Sequence, residues 1–400
     1  MNVGDEMDRL FIEAIPLIEK IEESGYEAYF VGGSVRDSIL NRTINDIDIA
    51  TQATPEEIKA IFDVTFDVGI EHGTVLVRFN HQNFEVTTYR TESAYIDYRR
   101  PSSVQFIRSL YDDLQRRDFT MNAIAMDKLG NIIDPFKGKE AIEQKTIVTV
   151  GLPQDRFTED ALRMMRAIRF VSQLGFSIEV DTLQAIKQHA HLLNNIAMER
   201  IEMEMSKLLG GKHKKLALDL INTLELYEVF PSIIDQQSLQ LIQSYDYSLL
   251  TEEEMWVLLL FTHGQFVEKE LRMWRLSVKK IKYLKKAYDF LQKRMTRDWE
   301  VFDLYMAQEP IVIMVENIWN VLHRQTDEEN KRKLIVQLNQ LPIRHSSEVA
   351  VSGKELMDWR QQSGGPWIKD LLQQIERAIV EGSLQNEQEA IRRWIENENN

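Results

Sequence analysis

Strand-sized apolar runs crowd the first 150 residues of this chain and then almost vanish. AYFVGG, DIDIAT, GTVLVRF, NFEVTTY and NAIAMD are short and rich in β-branched or aromatic residues, as strands are. Beyond Gly151 apolar residues recur at helical spacing through 158–175, 181–194 and 197–209, and the remainder reads as helical. The expected class is therefore α+β, with a small mixed domain over 1–150 and an all-α remainder. Breaks in that remainder fall at Gly210-Gly211, near Pro231, around 299–310 and at 363–366. The 400 residues suit several domains, and 17 glycines with 9 prolines, about half the usual share, are too few for a turn-rich all-β fold.

The chain has no cysteine, which excludes disulfides, zinc-thiolate sites and cysteine nucleophiles and suits a reducing cytoplasm. Its first ten residues are acidic where a signal peptide is basic, and no apolar run approaches the ~18 residues of a membrane span, so no membrane partner is expected. A net charge of −15 argues against a polyanion partner on average. Between Lys269 and Arg297, however, eleven Lys and Arg stand against two acids, Glu270 and Asp289. An acidic body with one dense basic stretch suits a protein that grips a polyanion at a defined place. A solvated helix face is the plainer alternative. Trp274, Tyr283, Tyr288 and Phe290 within it fit packing better than base stacking.

Two features carry chemistry. Val31-Gly32-Gly33-Ser34-Val35-Arg36-Asp37 is a strand entering a double glycine and then a helix-like stretch. Glycine lets backbone N–H groups approach an anion, and Arg36 can fork onto phosphate oxygens. Nine residues later comes Asp46-Ile47-Asp48, whose alternation sets both carboxylates on one strand face. Paired carboxylates repel unless a cation lies between them, and oxygen ligands with room for substrate phosphates suit magnesium. A solvated edge strand is the alternative. Glu85 is the candidate third carboxylate, although a cross-strand partner for a basic residue explains it equally. The polar stretch 85–106, with Tyr89, Arg90, Tyr95, Tyr98, Arg99 and Arg100, reads either as a loop closing over the site or as a surface hairpin.

These runs, with Arg116-Arg117-Asp118-Phe119-Thr120-Met121-Asn122-Ala123, DPFKGKEAI and Glu159-Asp160-Ala161-Leu162-Arg163, closely resemble the class II tRNA nucleotidyltransferases of bacteria, the CCA-adding enzymes. The five motifs cover about the first 210 residues, and the C-terminal VSGKELMDW and QNEQEAIRRWI look like the Firmicute branch. The resemblance implies a polymerase-β-like head followed by helical neck, body and tail. Head and neck then span 1–150 and 151–211, body and tail 212–300 and 301–400, the last two binding tRNA. It also implies magnesium at Asp46 and Asp48 and nucleoside triphosphate binding by Gly33, Arg36 and Arg117. Base recognition falls to Asp160 and Arg163, with Arg166 and Arg169 as further contacts. The implied activity adds the 3′-terminal CCA of tRNA from CTP and ATP, releasing pyrophosphate. A poly(A) polymerase, a relative adding only CC or only A, and a non-catalytic RNA-binding scaffold are the rivals. For assembly, an isologous homodimer is the default.

The base-reading idea has a physical basis of its own. Cytosine and adenine each offer an amine donor beside a ring-nitrogen acceptor, and guanine and uracil the reverse. An accepting Asp beside a donating Arg selects the first pair. Asp160 and Arg163, three apart on the expected helix 158–175, would be surface neighbours, although an ordinary salt bridge has the same spacing. Each further step of three turns the direction by about −60°, so Arg169 would point away from Asp160. Either that helix is distorted, or long arginines wrap round to phosphates, or Arg169 acts from behind the contact residues.

Overall fold

A computed structural model describes residues 7–69, 73–92, 95–96, 100–101 and 104–398. The chain forms two compact units, Met1–Leu239 and Gln240–Asn400. Among the described residues no helix is long and apolar enough to cross a membrane.

The first unit is built on a mixed sheet. Strands β1 (Ala28–Val31), β2 (Asp48–Thr51), β3 (Thr65–Gly69), β4 (Thr74–Phe79) and β5 (Gln82–Thr88) are followed by two short ribbons. These pair β6 (Arg90–Glu92) with β9 (Val104–Phe106), and β7 (Tyr95–Ile96) with β8 (Arg100–Pro101). With β10 (Ala125–Met126) and β11 (Ile132–Ile133), the main sheet runs β11-β10-β1-β2-β5-β4-β3. Its β2–β5 pair is parallel and its other pairs antiparallel. All five strand-like runs read from the sequence fall on strands of this sheet. Tyr98 and Arg99 of the polar stretch lie outside the described residues, as do the side chains of Tyr95 and Arg100. Tyr89 is a fully buried core residue.

Alternation gives the sheet two unlike faces. On one, Phe30, Ile49, Val75 and Val86 are buried. Helix α1 (Arg9–Glu23) covers it from β1, with the Phe11 ring tilted against Phe30; α2 (Gly33–Ile39) follows β1, and α3 (Pro55–Ile61) packs on β4. Beneath the near end of the other face, Val31, Ala50, Tyr89, Leu114, Ala123, Ala125 and Val150 form a second core. Helices α4 (Leu110–Gln115) and α5 (Gly138–Glu143) follow, and β12 (Thr146–Ile147) pairs in parallel with β13 (Ser177–Ile178).

The helical segment anticipated over 158–175 is two helices, α6 (Pro153–Glu159) and α7 (Leu162–Leu174). Asp160 between them has extended backbone, φ −136° and ψ 102°, and its Oδ1 accepts the Leu162 N–H, capping the new helix from outside. Gly175, φ +72°, ends α7 in the left-handed conformation that glycine adopts without strain. Helix α8 (Val180–His189) packs on α6, while α9 (Met198–Leu209) and α10 (Lys214–Thr223) pack on α7.

The second unit is helical throughout its described residues. The division falls in α11 (Gln236–Ile242), after which come α12 (Glu252–His263), α13 (Glu268–Met273), α14 (Val278–Thr296), α15 (Val301–Ala307), α16 (Glu309–His323) and α17 (Glu328–Asn339). Residues 255–260 of α12 are all buried, so this helix lies inside a bundle with α14 and α16. Helices α18 (Gly353–Arg360), α19 (Pro366–Val380) and α20 (Gln388–Glu398) close around Leu356, Leu371, Ile375, Ile379, Ile391 and Ile395.

Candidate active site

The β1–α2 turn fixes the centre of the site. Gly32 has φ +71° and ψ −135°, a conformation strained for any residue with a Cβ. A Cβ there would stand 3.1 Å from Arg117 Nη1 and 3.5 Å from Asp48 Oδ2, so turn, guanidinium and carboxylate meet at one point. The sequence candidate Gly33 begins α2 next door, where a Cβ would meet Arg36 Nη2 at an ordinary 3.6 Å.

Asp46 lies just before β2 and Asp48 is its first residue; both are exposed, while Ile47 and Ile49 between and after them are buried. Glu85 sits in register with Asp48 on the neighbouring parallel strand. Desolvation pushes the Asp48 carboxyl above the usual range, Arg117 opposes this, and Glu85 and Asp46 add to it. Among the described residues no three His, Asp or Glu side chains form a ready-made metal cage. Glu85 is an electrostatic neighbour of Asp48 across the parallel pair.

Arg36 is nearly buried and fully directed. Its Nε and Nη2 donate to Asp37 at 3.0 and 2.9 Å, and its Nη1 donates to Asn122 Oδ1 at 2.7 Å. Arg117 donates to Asp113 at 3.2 Å and to the Asn122 carbonyl at 3.4 Å. Asp113 is 1% exposed; burial works against its charge, but Arg116 and Arg117 hold its carboxyl below the usual range. Asp118 accepts from the Phe119 N–H, the Asn122 amide and Arg166. Burial alone would raise its carboxyl, yet Arg166 and these donors bring it to about 2.

The break at Asp160 changes the geometry expected of the neck residues. Asp160 and Arg163 do not share one helix face. Asp160 Oδ2 accepts from Arg200 of α9 at 3.0 Å, whereas the buried Arg163 donates to Glu159 at 2.6 Å and to the carbonyls of Arg156 and Arg116 at 3.2 and 3.1 Å. Arg163 therefore anchors the neck to the RRDF segment of the head. Arg166 reaches Asp118, lies 4.0 Å from Glu204 and feels the charge of Asp160. Arg169 pairs with the same Glu204 at 2.5 Å. An unbroken chain of contacts and fields thus runs from Asp48 through Arg117, Asn122, Asp118 and Arg166 to Asp160. Asp113, Asn122, Glu204, Arg200 and Phe170 belong to this site and were not singled out in sequence. Only Asn122 carried a signal, as part of RRDFTMNA.

In the second unit the basic run folds into α13 and α14. Trp274, Tyr288 and Phe290 are buried, as packing required. Its charge is smaller than the sequence window implies, because carboxylates from elsewhere fold onto it. Arg272 pairs with Glu268, Lys280 with Glu252, Lys285 with Asp289, Lys293 with Asp303, Arg294 with Glu316 and Asp298, and Arg297 with Asp303 and Glu300. Lys279, Lys282 and Lys286, one exposed stripe at helical spacing, have no carboxylate partner among the described residues.

The chain is similar to known proteins along nearly its whole length. Residues 28–148 match the family described as 'Poly A polymerase head domain', 175–237 the one described as 'Probable RNA and SrmB- binding site of polymerase A', and 247–395 the one described as 'tRNA nucleotidyltransferase domain 2 putative'. A CCA-adding enzyme of Bacillus cereus is 46% identical over 389 residues, covering 96% of this chain and 98% of that protein. One from Bacillus anthracis has the same identity and coverage. The crystal structure of the Bacillus stearothermophilus CCA-adding enzyme in complex with CTP has a TM-score of 0.90 at 43% identity and covers 98% of both chains. With a head sheet that gathers a glycine turn, a guanidinium and a carboxylate, and relatives matched along nearly its whole length, this chain belongs to the CCA-adding enzymes, a family of tRNA nucleotidyltransferases.

Proposed function

We propose that the protein completes the 3′ end of tRNA by adding C, C and A from CTP and ATP. The observation that carries this reading is the convergence of Gly32, Arg117 and Asp48. The tRNA 3′-hydroxyl gives up its proton to solvent as its oxygen bonds to the α-phosphorus, while the bond from that phosphorus to the β-phosphate oxygen breaks and pyrophosphate leaves. Gly33, Arg36 and Arg117 hold the triphosphate, and the two guanidiniums offset charge developing on the leaving group.

Asp46 and Asp48 are suited to magnesium. Both donors are hard oxygens, and the raised Asp48 carboxyl is a charge that a cation would relieve. Magnesium takes one or two carboxylates together with substrate phosphates, so a third protein ligand is not needed. When bound, the ion supplies hydroxyl activation and neutralises phosphate charge.

Asp160 accepts the amine of the incoming base, and for Arg163 to donate to the ring nitrogen its guanidinium has to exchange Glu159 and the Arg156 and Arg116 carbonyls for the base. Arg200, the partner of Asp160 here, orients its carboxylate. Arg166 and Arg169 steer the triphosphate side. Within this reading residues 1–150 are the catalytic head and 151–211 the base-reading neck. Body and tail, 212–300 and 301–400, grip the tRNA.

The test is incubation with a tRNA transcript lacking CCA and each labelled nucleoside triphosphate in turn, then in combination. Incorporation of two C and one A supports the reading. Long A tracts would make the protein a poly(A) polymerase, C alone or A alone a partial adding enzyme, and binding without incorporation a scaffold. Asp46→Ala should abolish transfer with every nucleotide, whereas Asp160→Ala should relax selection among them. An equal fractional loss of activity with every nucleotide in Asp160→Ala, leaving selection unchanged, would refute the base-reading role.

A further inference from the structure

We propose that the outer strands of the head sheet, through Phe66 of β3, form the seat on which a base at the 3′ end of the acceptor RNA stacks. This rests on the function proposed above and adds to it the path of the acceptor strand. Across five strands Val31, Asp48, Glu85, Leu76 and Phe66 stand in one row of register partners. Directly paired residues project to the same face. The next row, Phe30, Ile49, Val86, Val75 and Asp67, faces the helices, where Asp67 meets Lys59 of α3 at 2.6 Å. Phe66 therefore shares the face of the candidate catalytic carboxylates.

Direction follows from the chemistry. Gly32, Gly33, Arg36 and Arg117 place the triphosphate on the β1 side of Asp48. In-line displacement sets the attacking oxygen opposite the leaving pyrophosphate, so the acceptor strand enters from the β5 side. Beyond Glu85 the surface on that side turns from carboxylate to hydrocarbon: Phe66 is 48% exposed, and Val64 and Val68 beside it 44% and 54%. At about 4.8 Å per strand, Phe66 is roughly 14 Å from Asp48, which suits a base preceding the reacting hydroxyl. A flat, uncharged base tolerates the nearby carboxylates as phosphate would not. Arg78, exposed on the same face two residues from Leu76, is the cation for the backbone. Edge-on pairing with a second copy is disfavoured by the bulge between Asp67 and Gly69 and by the charge of Asp67.

The experiment uses the full chain, CTP and tRNA ending before CCA. Phe66→Ala should raise KM for tRNA about fivefold or more, the effect of one lost base–aromatic stack, and leave KM for CTP within about twofold. Phe66→Trp should restore the tRNA KM. In parallel, 2-aminopurine at the tRNA 3′ terminus should be quenched on binding the wild type and Phe66→Trp but not Phe66→Ala, a readout that needs no turnover. Unchanged tRNA KM and quenching in Phe66→Ala would overturn the seat, as would an equal rise in both KM values. A shift in sedimentation alone would make this face an interface between copies and overturn it equally. Failure of the wild type to incorporate any nucleotide would refute the proposed function, and the quenching comparison would still decide the seat.

Discussion

Arg36 of the head and Arg169 of the neck approach the same aromatic ring, their guanidinium carbons 5.1 and 4.1 Å from the centroid of Phe170. Arg166 stands 5.6 Å from it. Three cations around one ring are held by its negative faces and by Asp37, Asp118 and Glu204. The ring thus couples the triphosphate side of the site to the neck helix.

Replacing Phe170 by Leu keeps hydrocarbon in the core and removes the π face. We expect a folded protein whose KM for CTP and ATP rises by about fivefold, equivalent to about 1 kcal/mol of lost cation–π attraction. KM for tRNA should move little. Steady-state kinetics with each substrate varied separately check this.

Asp118 predicts an acid-side instability. Its carboxyl lies at about 2 in the folded protein, below the ordinary aspartate value near 3.9, so the folded state favours the ionised form. The resulting stabilisation, roughly 2 kcal/mol, is complete above about pH 4 and is lost as pH falls toward 2. Asp118→Asn should lower stability at neutral pH and flatten the fall between pH 4 and 2, as measured by denaturant unfolding across that window.

What could be read in advance was local. β-Branched runs announced the inner strands, and the alternation of Asp46-Ile47-Asp48-Ile49 announced which side chains would face solvent. Strand β3 went unseen because Asp67 and Gly69 dilute its pattern and its apolar residues face outward. The break at Asp160 was invisible because Asp160 meets a partner forty residues away, Arg200, and caps α7 from outside it. Likewise the charge of 269–297 was overstated because Glu252, Glu316 and Asp303 arrive from other helices.

The thinned basic stripe makes a quantitative prediction for RNA binding. With six of the eleven cations of the run paired, Lys279, Lys282 and Lys286 form an exposed stripe on one helix, with no carboxylate partner among the described residues, that can displace counterions from phosphate. Substituting all three with Ala should weaken tRNA binding and reduce the slope of log K against log salt by about two. The same slope in the triple variant, measured by filter binding from low to moderate salt, would place the phosphate contacts elsewhere.

The two adjacent glycines of the β1–α2 turn should respond differently to the same substitution. In Gly32→Ala the new methyl lands 3.1 Å from Arg117 Nη1 at φ +71°, so backbone strain of about 1–3 kcal/mol adds to displacement of a guanidinium held by Asp113 and the Asn122 carbonyl. Arg117 and Asp48 then lose their common point, and turnover should fall by about a hundredfold or more with the fold intact. In Gly33→Ala the methyl meets Arg36 Nη2 at 3.6 Å, and Arg36 stays fixed by Asp37 and Asn122. Its loss should be smaller, about threefold. Single-turnover CTP incorporation distinguishes the two, since equal losses would mean that the turn acts through flexibility common to both glycines rather than through the close approach at Gly32.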